Sequence, residues 1–432
     1  MGRGRRPSQA ERTGQAETED ILRRVTLAVV VATTAALGLA GCGSDSGSGD
    51  DGNVSLDLLV PIYGDKTKPY WEQLVKDFEA KNSNIDVKLE TQSWDNIYDV
   101  MTTKIQNNKA PDILELDAAG PAYATDDLLY KADEIVSKKT YADIEPAFID
   151  SAKIKGQAYG VPTVASTRAL FYNKALFTQA GITSPPKTWD ELLEDAKKIS
   201  ALGNGTYGYG MPLGNEEAQA ETSIWAYGSG ASWEKGGKMT IDTPQATEAL
   251  TFMKKMISEG ATQPNPGATN RTPLLDVFIQ GKIGMIEGLP PIVGQIKEKA
   301  PDLDWAIAPS PTKDGKPVTL GVADYFVGFN NDADKQASIA KFLDFFYEQN
   351  NYVKFNDNEG FIPATKSGAS AAQAKPELKT FLESLPSAKF YPATNPAWAQ
   401  TSGAFKDLVG QIETKSPDEV LKEIQAKADA SG

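Results

Sequence analysis

Residue types that carry out chemistry in proteins are unevenly represented in this chain. It contains no histidine, a single cysteine at position 42, and 58 aspartate and glutamate residues. Histidine is the commonest general base and transition-metal ligand. Its absence beside a lone cysteine excludes a zinc site, a Ser-His-Asp triad and a Cys-His pair. Carboxylates remain as candidates, and two of them across a cleft would suit hydrolysis of a glycosidic bond, but the sequence alone pairs no two of them.

A Gly-rich motif and the net charge bear on nucleotide and nucleic-acid binding. Residues 203–208 read Gly-Asn-Gly-Thr-Tyr-Gly, which fits G-x-G-x-x-G. The dinucleotide fingerprint needs a strand before it and a helix after it. This stretch follows a predicted helix and begins none, so we predict a loop. The net charge of −14 repels phosphate backbones and argues against nucleic acid as a partner.

The lone cysteine lies between an apolar segment and a polar one. An Arg-Arg pair precedes an apolar run at residues 25–40, whose 16 residues are fewer than the ~20 needed to span a bilayer. Leu-Ala-Gly-Cys at residues 39–42 resembles the lipobox of bacterial lipoproteins, in which the cysteine is lipidated. We therefore predict a lipoprotein signal peptide at 1–41, then a lipidated Cys42 and a flexible tether at 42–53.

This arrangement predicts where the protein is located. A lipid on the cysteine would anchor it to the cell membrane, on the outer (extracytoplasmic) face, without a membrane-spanning segment. General secretory export and twin-arginine export both stay open, and so does the true start of translation.

After the tether, apolar residues alternate between the strand period and the helix period. Residues 54–60 are typical of a strand, residues 69–80 carry apolar side chains at helical spacing, and residues 85–89 alternate as a second strand. A polar helix at about 95–107 and a third strand at 111–116 follow. This order is typical of a parallel sheet, and the chain length suits two or three domain-sized units.

Helix boundaries can be predicted further along the chain. Thr188 and Ser416 each begin a capping box, with glutamate three residues later. Pro244 and Pro273 each stand at a predicted first helical position, where the missing N–H costs nothing. The sequence also predicts a helix at about 334–348.

Eight short blocks occur in a fixed order along the chain. They cover residues 63–66, 71–80, 109–113, 160–174, 186–192, 278–285, 360–364 and 395–398. In this order, after a lipobox, they resemble the extracellular solute-binding proteins of ABC importers, in the maltose-binding-protein-like group for sugars. The resemblance covers nearly all of the chain after the cysteine, and it departs from the family signature at Thr163 and at Gln179.

The resemblance implies an α/β, two-lobed periplasmic-binding-protein-like fold of type II, with three crossing segments and the ligand in an interlobe cleft. Lobe one would hold residues 54–166 and 324–385, and lobe two residues 167–323 and 386–432. The implied function is capture of a sugar or other polyhydroxylated solute and its delivery to the importer's permease subunits. The protein would be a monomer, with no catalytic residue, cofactor or metal.

Sugar recognition needs planar hydrogen-bonding groups for hydroxyls and aromatic faces for the apolar side of a ring. In lobe one the resemblance places Asp65 and Lys66 in a ligand-contacting turn; otherwise they are ordinary surface charges. Trp94 is either a stacking platform or a core residue. Asp117 ends the third strand at the cleft edge, and Glu115 would face the same way only if that strand ended earlier.

Lobe two supplies further candidates by resemblance. Glu217 and Gln219 fall near the ligand contacts of the family, although Glu217 would otherwise be a solvated helix start. Arg271 is either a forked donor to ligand hydroxyls or a surface arginine. Glu287 lies at the exit of a predicted strand. Trp398 matches the family position for an aromatic platform.

Asp324 and Tyr325 are expected within the second crossing between the lobes. An unpaired carboxylate buried there would be costly, so a ligand or a nearby arginine would have to satisfy Asp324.

Two other functions stay open. A secreted glycoside hydrolase would turn over an oligosaccharide, whereas a binding protein would not. A lipoprotein that senses a ligand without feeding a transporter would lack permease genes beside its own gene.

Overall fold

The computed structural model describes residues 53–94, 96–372 and 375–431. Cys42, the predicted signal peptide and nearly all of the predicted tether lie outside the described residues. Within the described ranges the chain forms two large β-sheets, each flanked by helices, and two short hairpins. None of the helices in these ranges is both long enough and apolar enough to span a membrane.

Strands and helices alternate along most of the chain. In chain order the strands are β1 Val54–Pro61, β2 Ile85–Gln92, β3 Ile113–Leu116, β4 Lys153–Ile154, β5 Gln157–Ala158, β6 Val161–Thr167, β7 Ala169–Asn173, β8 Tyr207–Gly210, β9 Glu234–Lys235, β10 Lys238–Met239, β11 Ile283–Gly288, β12 Trp305–Ala308, β13 Thr319–Gly328 and β14 Ala388–Lys389. The α-helices are α1 Thr67–Lys81, α2 Ile97–Gln106, α3 Lys138–Asp143, α4 Pro146–Asp150, α5 Lys174–Gln179, α6 Trp189–Ser200, α7 Ala218–Gly228, α8 Pro244–Ser258, α9 Arg271–Ile279, α10 Pro291–Lys299, α11 Gln336–Phe346, α12 Gln349–Glu359, α13 Lys366–Ala372, α14 Lys379–Ser384, α15 Trp398–Leu408 and α16 Pro417–Asp429.

Sheet one has the strand order β14-β13-β3-β1-β2, with β6 also paired to β13. β1 is parallel to both β2 and β3, with Val54 opposite Ile85 and Leu58 opposite Ile113. The predicted parallel arrangement of the first three strands is thus confirmed. Their carboxyl ends meet at one edge, which is where open α/β sheets bind ligands. We call sheet one and its helices lobe one.

Sheet two has the strand order β12-β7-β11-β8. β7 is antiparallel to both β11 and β12, and β8 is parallel to β11. The helices α15 and α16 of the C-terminal part pack with α7 and α8 beside this sheet. We call sheet two and its helices lobe two. The fold is therefore α/β with two lobes.

Within the described ranges, three segments link elements of the two lobes. Arg168 alone separates β6 from β7. Residues 309–318 connect β12 with β13, and residues 390–397 connect β14 with α15. The backbone of Arg168 is held where the second segment ends, since its N–H donates to the Leu320 carbonyl at 3.1 Å.

Asp324 and Tyr325 lie inside β13 and not in the second crossing, where the sequence places them. β13 starts at Thr319 and pairs with β6 from Gly321 onwards, so the strand is already part of sheet one at these positions. The pairing shifts register between the two residues, because Asp324 lies opposite Val164 and Tyr325 opposite Pro162. Such a bulge redirects side chains and is common beside functional sites.

The predicted helix starts agree with the structure at three of four positions. Both capping boxes are confirmed: the Thr188 and Ser416 hydroxyls accept from the N–H groups of Glu191 and Glu419. α8 begins at Pro244 as predicted. α9 begins at Arg271, two residues before the predicted start at Pro273.

The early start of α9 has a local cause. The carboxylate of Glu216 accepts from the backbone N–H of Thr272 at 3.0 Å and also binds its hydroxyl. This contact satisfies a free N–H in the first turn, which any helix start leaves unpaired. The helix can therefore extend ahead of its proline.

Apolar clusters cover both faces of each sheet. In lobe one, α1, α11 and α12 bury Trp71 and Phe346, whose rings stack at 5.3 Å, while α2 covers the other face. Each fully buried side chain of this size contributes roughly 2–3 kcal/mol relative to exposure. These cores hold the strand ends rigidly, and the strand ends carry the site.

Candidate ligand-binding site

The carboxyl ends of the three parallel strands bring polar and aromatic side chains to one edge of sheet one. Tyr63 follows β1, Trp94 follows β2, and Asp117 follows β3 directly. The Tyr63 and Trp94 rings meet edge to face with 5.7 Å between centroids. Asp324 reaches the same place from β13, since the Tyr63 hydroxyl lies 2.5 Å from its Oδ2. Lobe one thus presents carboxylates and aromatic rings together.

The Tyr63 hydroxyl also lies 3.3 Å from Glu115 Oε1. A phenol has one hydrogen, so it donates to only one of the two carboxylates at a time. Glu115 is fully buried, and its Oε2 has no hydrogen-bond partner among the described residues. The cluster of Tyr63, Glu115 and Asp324 therefore accommodates an additional proton more readily than two full negative charges.

Burial dominates the acidity of these groups. It raises the pKa of Asp324 to about 7, against the opposing effect of the Tyr63 hydrogen bond. It raises the pKa of Glu115 well above its ordinary value and that of Glu359 to about 7. Glu359 lies at the end of α12 and accepts from the Thr67 hydroxyl at 3.0 Å. Lobe one therefore carries three carboxyls that ionise late.

Asp117 is held by two hydrogen bonds at the cleft edge. Its Oδ2 accepts from the Tyr98 hydroxyl at 2.7 Å and its Oδ1 from the Ala119 N–H at 3.0 Å. Burial raises the pKa of Asp117, and these two bonds oppose the rise. Each carboxylate oxygen retains lone pairs for a further donor.

Tyr325 points away from this group. Successive side chains of a strand face opposite sides, so Tyr325 and its neighbour Asp324 cannot face the same site. The Tyr325 ring is 1% exposed, and its hydroxyl lies 2.5 Å from the Ser151 hydroxyl and 3.3 Å from the Phe148 carbonyl. It is a core residue with its polar end satisfied, and we do not retain it as a ligand contact.

In lobe two, Glu217 is the centre of a charge cluster. It precedes α7, and its two oxygens lie 2.8 Å from Arg168 Nη2 and 2.5 Å from Arg271 Nε. The arginine side chains are 2% and 3% exposed, whereas that of Glu217 is 29% exposed. Burial opposes the ionisation of Glu217, but the two guanidinium groups outweigh it and hold its pKa below the ordinary value. Glu217 therefore stays charged and is only partly exposed, with its Oε2 shielded from solvent.

Arg271 makes its hydrogen bonds within the protein. Its Nη1 donates to the Glu287 carbonyl at 2.8 Å and its Nη2 to Glu221 Oε2 at 3.0 Å. Glu221 is fully buried and also accepts from the Tyr209 hydroxyl and from Trp225 Nε1. Glu217 lies beside the Arg271 Nε, so each nitrogen of this guanidinium group has a protein oxygen next to it. Arg271 therefore positions Glu217 and has no nitrogen left to donate to a ligand.

The remaining lobe-two candidates differ in exposure. Glu287 is 2% exposed and accepts from the Ser310 hydroxyl at 2.7 Å. Burial raises the pKa of Glu287 to about 8. Gln219 is half-buried, and its Oε1 has no hydrogen-bond partner within the described ranges. Gln219 therefore holds an acceptor that is unpaired although it is shielded from solvent.

An aromatic pair completes the lobe-two side. Trp398 is 8% exposed, and its ring stacks on Tyr391, with 4.9 Å between centroids and 25° between planes. Tyr391 is half-buried. Burial raises the pKa of the Tyr391 hydroxyl. The charge of Arg168 acts to lower this pKa, and the charges of Glu217 and Asp117 act to raise it. Tyr391 therefore lies among charges from both lobes, with Trp398 behind it.

Two lysines border the site. Lys66, with Asp65, lies exposed in the turn before α1, and its charge acts on the Glu359 carboxyl. Lys406, half-buried on α15, acts to lower the pKa of both Asp117 in lobe one and Glu217 in lobe two. Asp65 makes no hydrogen bond or ion pair with other described residues. The turn before α1 thus borders the cluster without being bound into it.

Several side chains at this cleft were not predicted as ligand contacts. These are Tyr63, Tyr98, Arg168, Tyr391 and Lys406. Tyr63 and Arg168 lie inside blocks 63–66 and 160–174, so the resemblance contains a signal for them. Tyr391 precedes block 395–398 by four residues, and nothing local distinguishes Tyr98 or Lys406 from surface residues.

The model of the bacterial extracellular solute-binding protein family matches residues 64–351 of this chain. The chain belongs to this family. It is also 36% identical over 403 residues to a putative binding protein of Brucella abortus (strain 2308), covering 89% of this chain and 94% of that protein. Both matches are to proteins that bind solutes or are described as binding proteins.

Two solved structures share the fold of this solute-binding protein. One is an ABC transporter solute-binding protein from Thermotoga lettingae bound with α-D-tagatose, with TM-score 0.75 and 23% identity over 87% of this chain and 99% of that one. The other is maltose-bound MalE3 of T. maritima, with TM-score 0.75 and 20% identity over 87% and 99% of the two chains.

The described part of this solute-binding protein contains no candidate metal site, and its largest groove lies away from the cleft. In the described ranges, no three Asp, Glu, Cys or His side chains are grouped to hold a metal ion. A groove of about 1170 Å³ lies between Phe78, Ser137 and Asp344, near the far end of α1. That end is roughly 20 Å from the turn at Asp65. The Asp344 carboxylate in that groove already accepts hydrogen bonds from the Ser137 N–H and the Thr140 hydroxyl. The cleft is therefore the better candidate for a ligand-binding site.

Proposed function

We propose that this protein is the substrate-binding lipoprotein of an ABC importer and captures a sugar or oligosaccharide between its two lobes. The observation that carries the proposal is the combination of ring and carboxylates at one cleft. Tyr391, backed by Trp398, supplies an aromatic face, and Asp117 and Asp324 supply acceptors for hydroxyl groups. Stacking and planar hydrogen-bonding groups are what a sugar ring requires.

The lobes would contribute unequal contacts. Lobe one offers the Asp117 and Asp324 oxygens, and lobe two offers Tyr391, Gln219 and the exposed part of Glu217. A ligand that touches both sets stabilises the closed arrangement over the open one, because only the closed arrangement makes both sets of contacts. The importer's permease subunits would then recognise the closed form.

A charged phosphate or sulfate ester fits this cleft poorly. The buried arginines are already neutralised by glutamates, and within the described ranges no lysine or arginine forms an ion pair with Glu115, Asp117 or Asp324. A neutral polyhydroxylated solute avoids repulsion by these carboxylates. The tagatose and maltose named for the two structures of similar fold are neutral sugars.

Anchoring and organisation belong to the same proposal. A lipid on Cys42 would hold the protein at the outer face of the cell membrane, with residues 43–53 as a tether of roughly 18 Å reach. The protein would act as a monomer. Its lobes would be divided at Arg168, at residues 309–318 and at residues 390–397, and not at the predicted 323 and 385, because β13 and β14 both belong to sheet one. It would catalyse no reaction, because the cleft acids are already engaged: Glu217 by two arginines, Glu115 and Asp324 by Tyr63, and Asp117 by Tyr98 and the Ala119 N–H.

A thermal-shift screen tests the proposed function. The purified protein is heated with a panel of neutral mono- and oligosaccharides, polyols, sugar phosphates and amino acids, and hits are confirmed by titration calorimetry. A ligand that binds the native state raises the melting temperature. We expect stabilisation by a neutral saccharide; stabilisation only by charged solutes, or chromatographic evidence that an oligosaccharide is cleaved, would contradict the proposal.

A further inference from the structure

We propose that the captured saccharide has at least two rings and that the outer ring lies on Tyr98, at the lobe-one rim of the cleft. This inference rests on the proposed function and extends it to the length of the ligand. The inference is based on the contact between Tyr98, which is exposed, and Asp117, which is also a proposed acceptor for the ring at the inner end of the cleft.

The rim is unusual in its exposure. Among residues 53–94, 96–372 and 375–431, the large apolar side chains with the greatest exposure are Tyr98 (39%) and Ile62 (36%). Both belong to the same edge of sheet one, since Ile62 follows β1 and Tyr98 lies in the first turn of α2, which follows β2. Exposed apolar surface that is concentrated at a cleft marks a binding surface more often than scattered single residues do.

Tyr98 is fixed in position despite its exposure. Its hydroxyl donates to Asp117 Oδ2 at 2.7 Å, and Asp117 is itself held by the Ala119 N–H at 3.0 Å. An exposed tyrosine normally samples several rotamers, and ordering it would reduce the affinity for a ligand. Because the ring is already anchored at its polar end, its apolar face is available at little entropic cost.

Asp117 connects Tyr98 with the inner part of the cleft. Its Oδ2 accepts from the Tyr98 hydroxyl at 2.7 Å, and it directly follows β3. β3 pairs with β13, which carries Asp324 and also pairs with β14, and Tyr391 lies two residues after β14. Tyr391 is the inner platform, because it is backed by the buried Trp398 ring. A ring on Tyr391 and a ring on Tyr98 could therefore both hydrogen-bond to Asp117.

A single sugar ring does not account for the outer platform. The inner ligand contacts are Tyr391, Asp324 and Asp117, and a ring among them is already provided with one stacking face and two acceptors. Tyr98 stays more than one third exposed beyond these groups. An apolar face at that place suits a ligand that extends from the inner site past Asp117 to Tyr98.

The test compares sugars of increasing length on the full chain purified in detergent. Titration calorimetry is run with glucose, maltose and maltotriose, with mannose and mannobiose, and with xylose and xylobiose. For the series that binds, we expect the disaccharide to bind at least about tenfold more tightly than its monosaccharide, because a second stacked ring adds to the affinity.

Variants identify the ring involved. Tyr98→Ala should lower the affinity for the disaccharide about tenfold and change that for the monosaccharide less than about twofold. Tyr98→Phe keeps the apolar face, so it should retain most of the preference for the longer sugar. Tyr391→Ala should lower the affinity for both the monosaccharide and the disaccharide. The melting temperatures of the free variants show whether each is folded.

Three results would overturn the inference. Equal affinities for monosaccharide and disaccharide would show that no second sugar ring is bound. An equal loss for both sugars in Tyr98→Ala would mean that one ring is held between Tyr98 and Tyr391. Unchanged calorimetry in Tyr98→Ala with reduced cellular uptake would assign the rim to the permease. Absence of binding to any saccharide would instead contradict the proposed function itself.

Discussion

The ring of Tyr391 lies nearly parallel to the indole of Trp398 at a centroid distance of 4.9 Å. Of the two, Trp398 is the buried member, at 8% exposure, and it belongs to the apolar cluster of lobe two. The aromatic platform that the sequence assigns to Trp398 therefore has two layers. Tyr391 is the more exposed layer and would contact the ligand in the proposed site, whereas Trp398 packs against it from the core.

The two layers should respond differently to truncation. Tyr391→Ala should lower ligand affinity about tenfold and change the free energy of unfolding little, since the ring is only half-buried. Trp398→Ala should reduce affinity as well and also cost about 3–5 kcal/mol of stability, because it leaves a cavity. Calorimetry and urea denaturation measure the two quantities. Tyr130→Ala, at the opposite edge of sheet one, is the matched control, and equal effects of Tyr130→Ala and Tyr391→Ala on affinity would refute the platform.

Removing the Glu221 carboxylate should destabilise lobe two strongly. Glu221→Ala leaves Arg271, Tyr209 and Trp225 without a shared acceptor inside the protein. Breaking one side of a buried ion pair costs about 3–5 kcal/mol. The free energy of unfolding from urea titration checks this value.

The control for Glu221 is an exposed ion pair. Glu248 contacts Lys313 at 2.6 Å, with both side chains about half exposed. Glu248→Ala should cost no more than about 1 kcal/mol, because water and salt screen the pair. Similar losses in the two variants would show that burial of Glu221 does not set its contribution.

Stability should fall as the pH rises from 5 to 8. Burial raises the pKa of Asp324 and Glu359 to about 7 and that of Glu287 to about 8. In the unfolded chain these carboxyls ionise near pH ~4. Between about pH 4 and 8 the folded state therefore binds more protons, and its stability decreases with pH until these groups are ionised. No histidine is present to titrate in this window.

We expect the free energy of unfolding to drop by roughly 2 kcal/mol or more across this range. Urea denaturation at pH 5, 6, 7 and 8, followed by tryptophan fluorescence, measures the slope. Asp324→Asn should reduce it, since the amide does not ionise, whereas Asp86→Asn at an exposed position should leave it unchanged. A wild-type stability that is constant or rises over this range would be incompatible with the buried carboxyls described here.

Replacing Cys42 should separate location from binding. Cys42→Ser removes the thiol that a lipid would modify, so the protein should move from the membrane fraction to the soluble fraction. Ligand affinity should stay within about twofold of wild type, because the proposed ligand contacts all lie in the two lobes and the tether is predicted to be a flexible coil. Cell fractionation with metabolic fatty-acid labelling checks the location, and calorimetry checks the affinity. Wild-type protein that takes up no fatty-acid label would show that Cys42 is not lipidated. A loss of ligand affinity in Cys42→Ser would show that anchoring and binding are not separate.

Local patterns account for the features that can be predicted well from sequence. Apolar spacing sets whether a segment is a strand or a helix, and it correctly predicts the parallel arrangement of β1, β2 and β3. Capping boxes depend on residues three apart, so Thr188 and Ser416 can be located without any knowledge of distant contacts. Composition acts at the same level, because a chain with no histidine cannot use one in catalysis or metal binding.

The site depends on contacts between distant parts of the chain. Tyr63 and Asp324 are 261 positions apart, and Arg168 and Glu217 are 49 apart. No periodicity links such residues; strand register and the bulge opposite Asp324 decide which side chains meet. The register also places Tyr325 on the opposite face, where the sequence groups it with Asp324.

By itself, the sequence determined the α/β class, the family and the edge of the sheet at which the candidate ligand-binding groups collect, because these follow from local spacing and from ordered short blocks. Tertiary structure alone decided which of those groups are free. Arg271 is bound by Glu217, Glu221 and the Glu287 carbonyl, whereas Tyr391 is only half-buried and Tyr98 is 39% exposed. Burial and pairing are properties of the packed chain, and a residue's type does not reveal them.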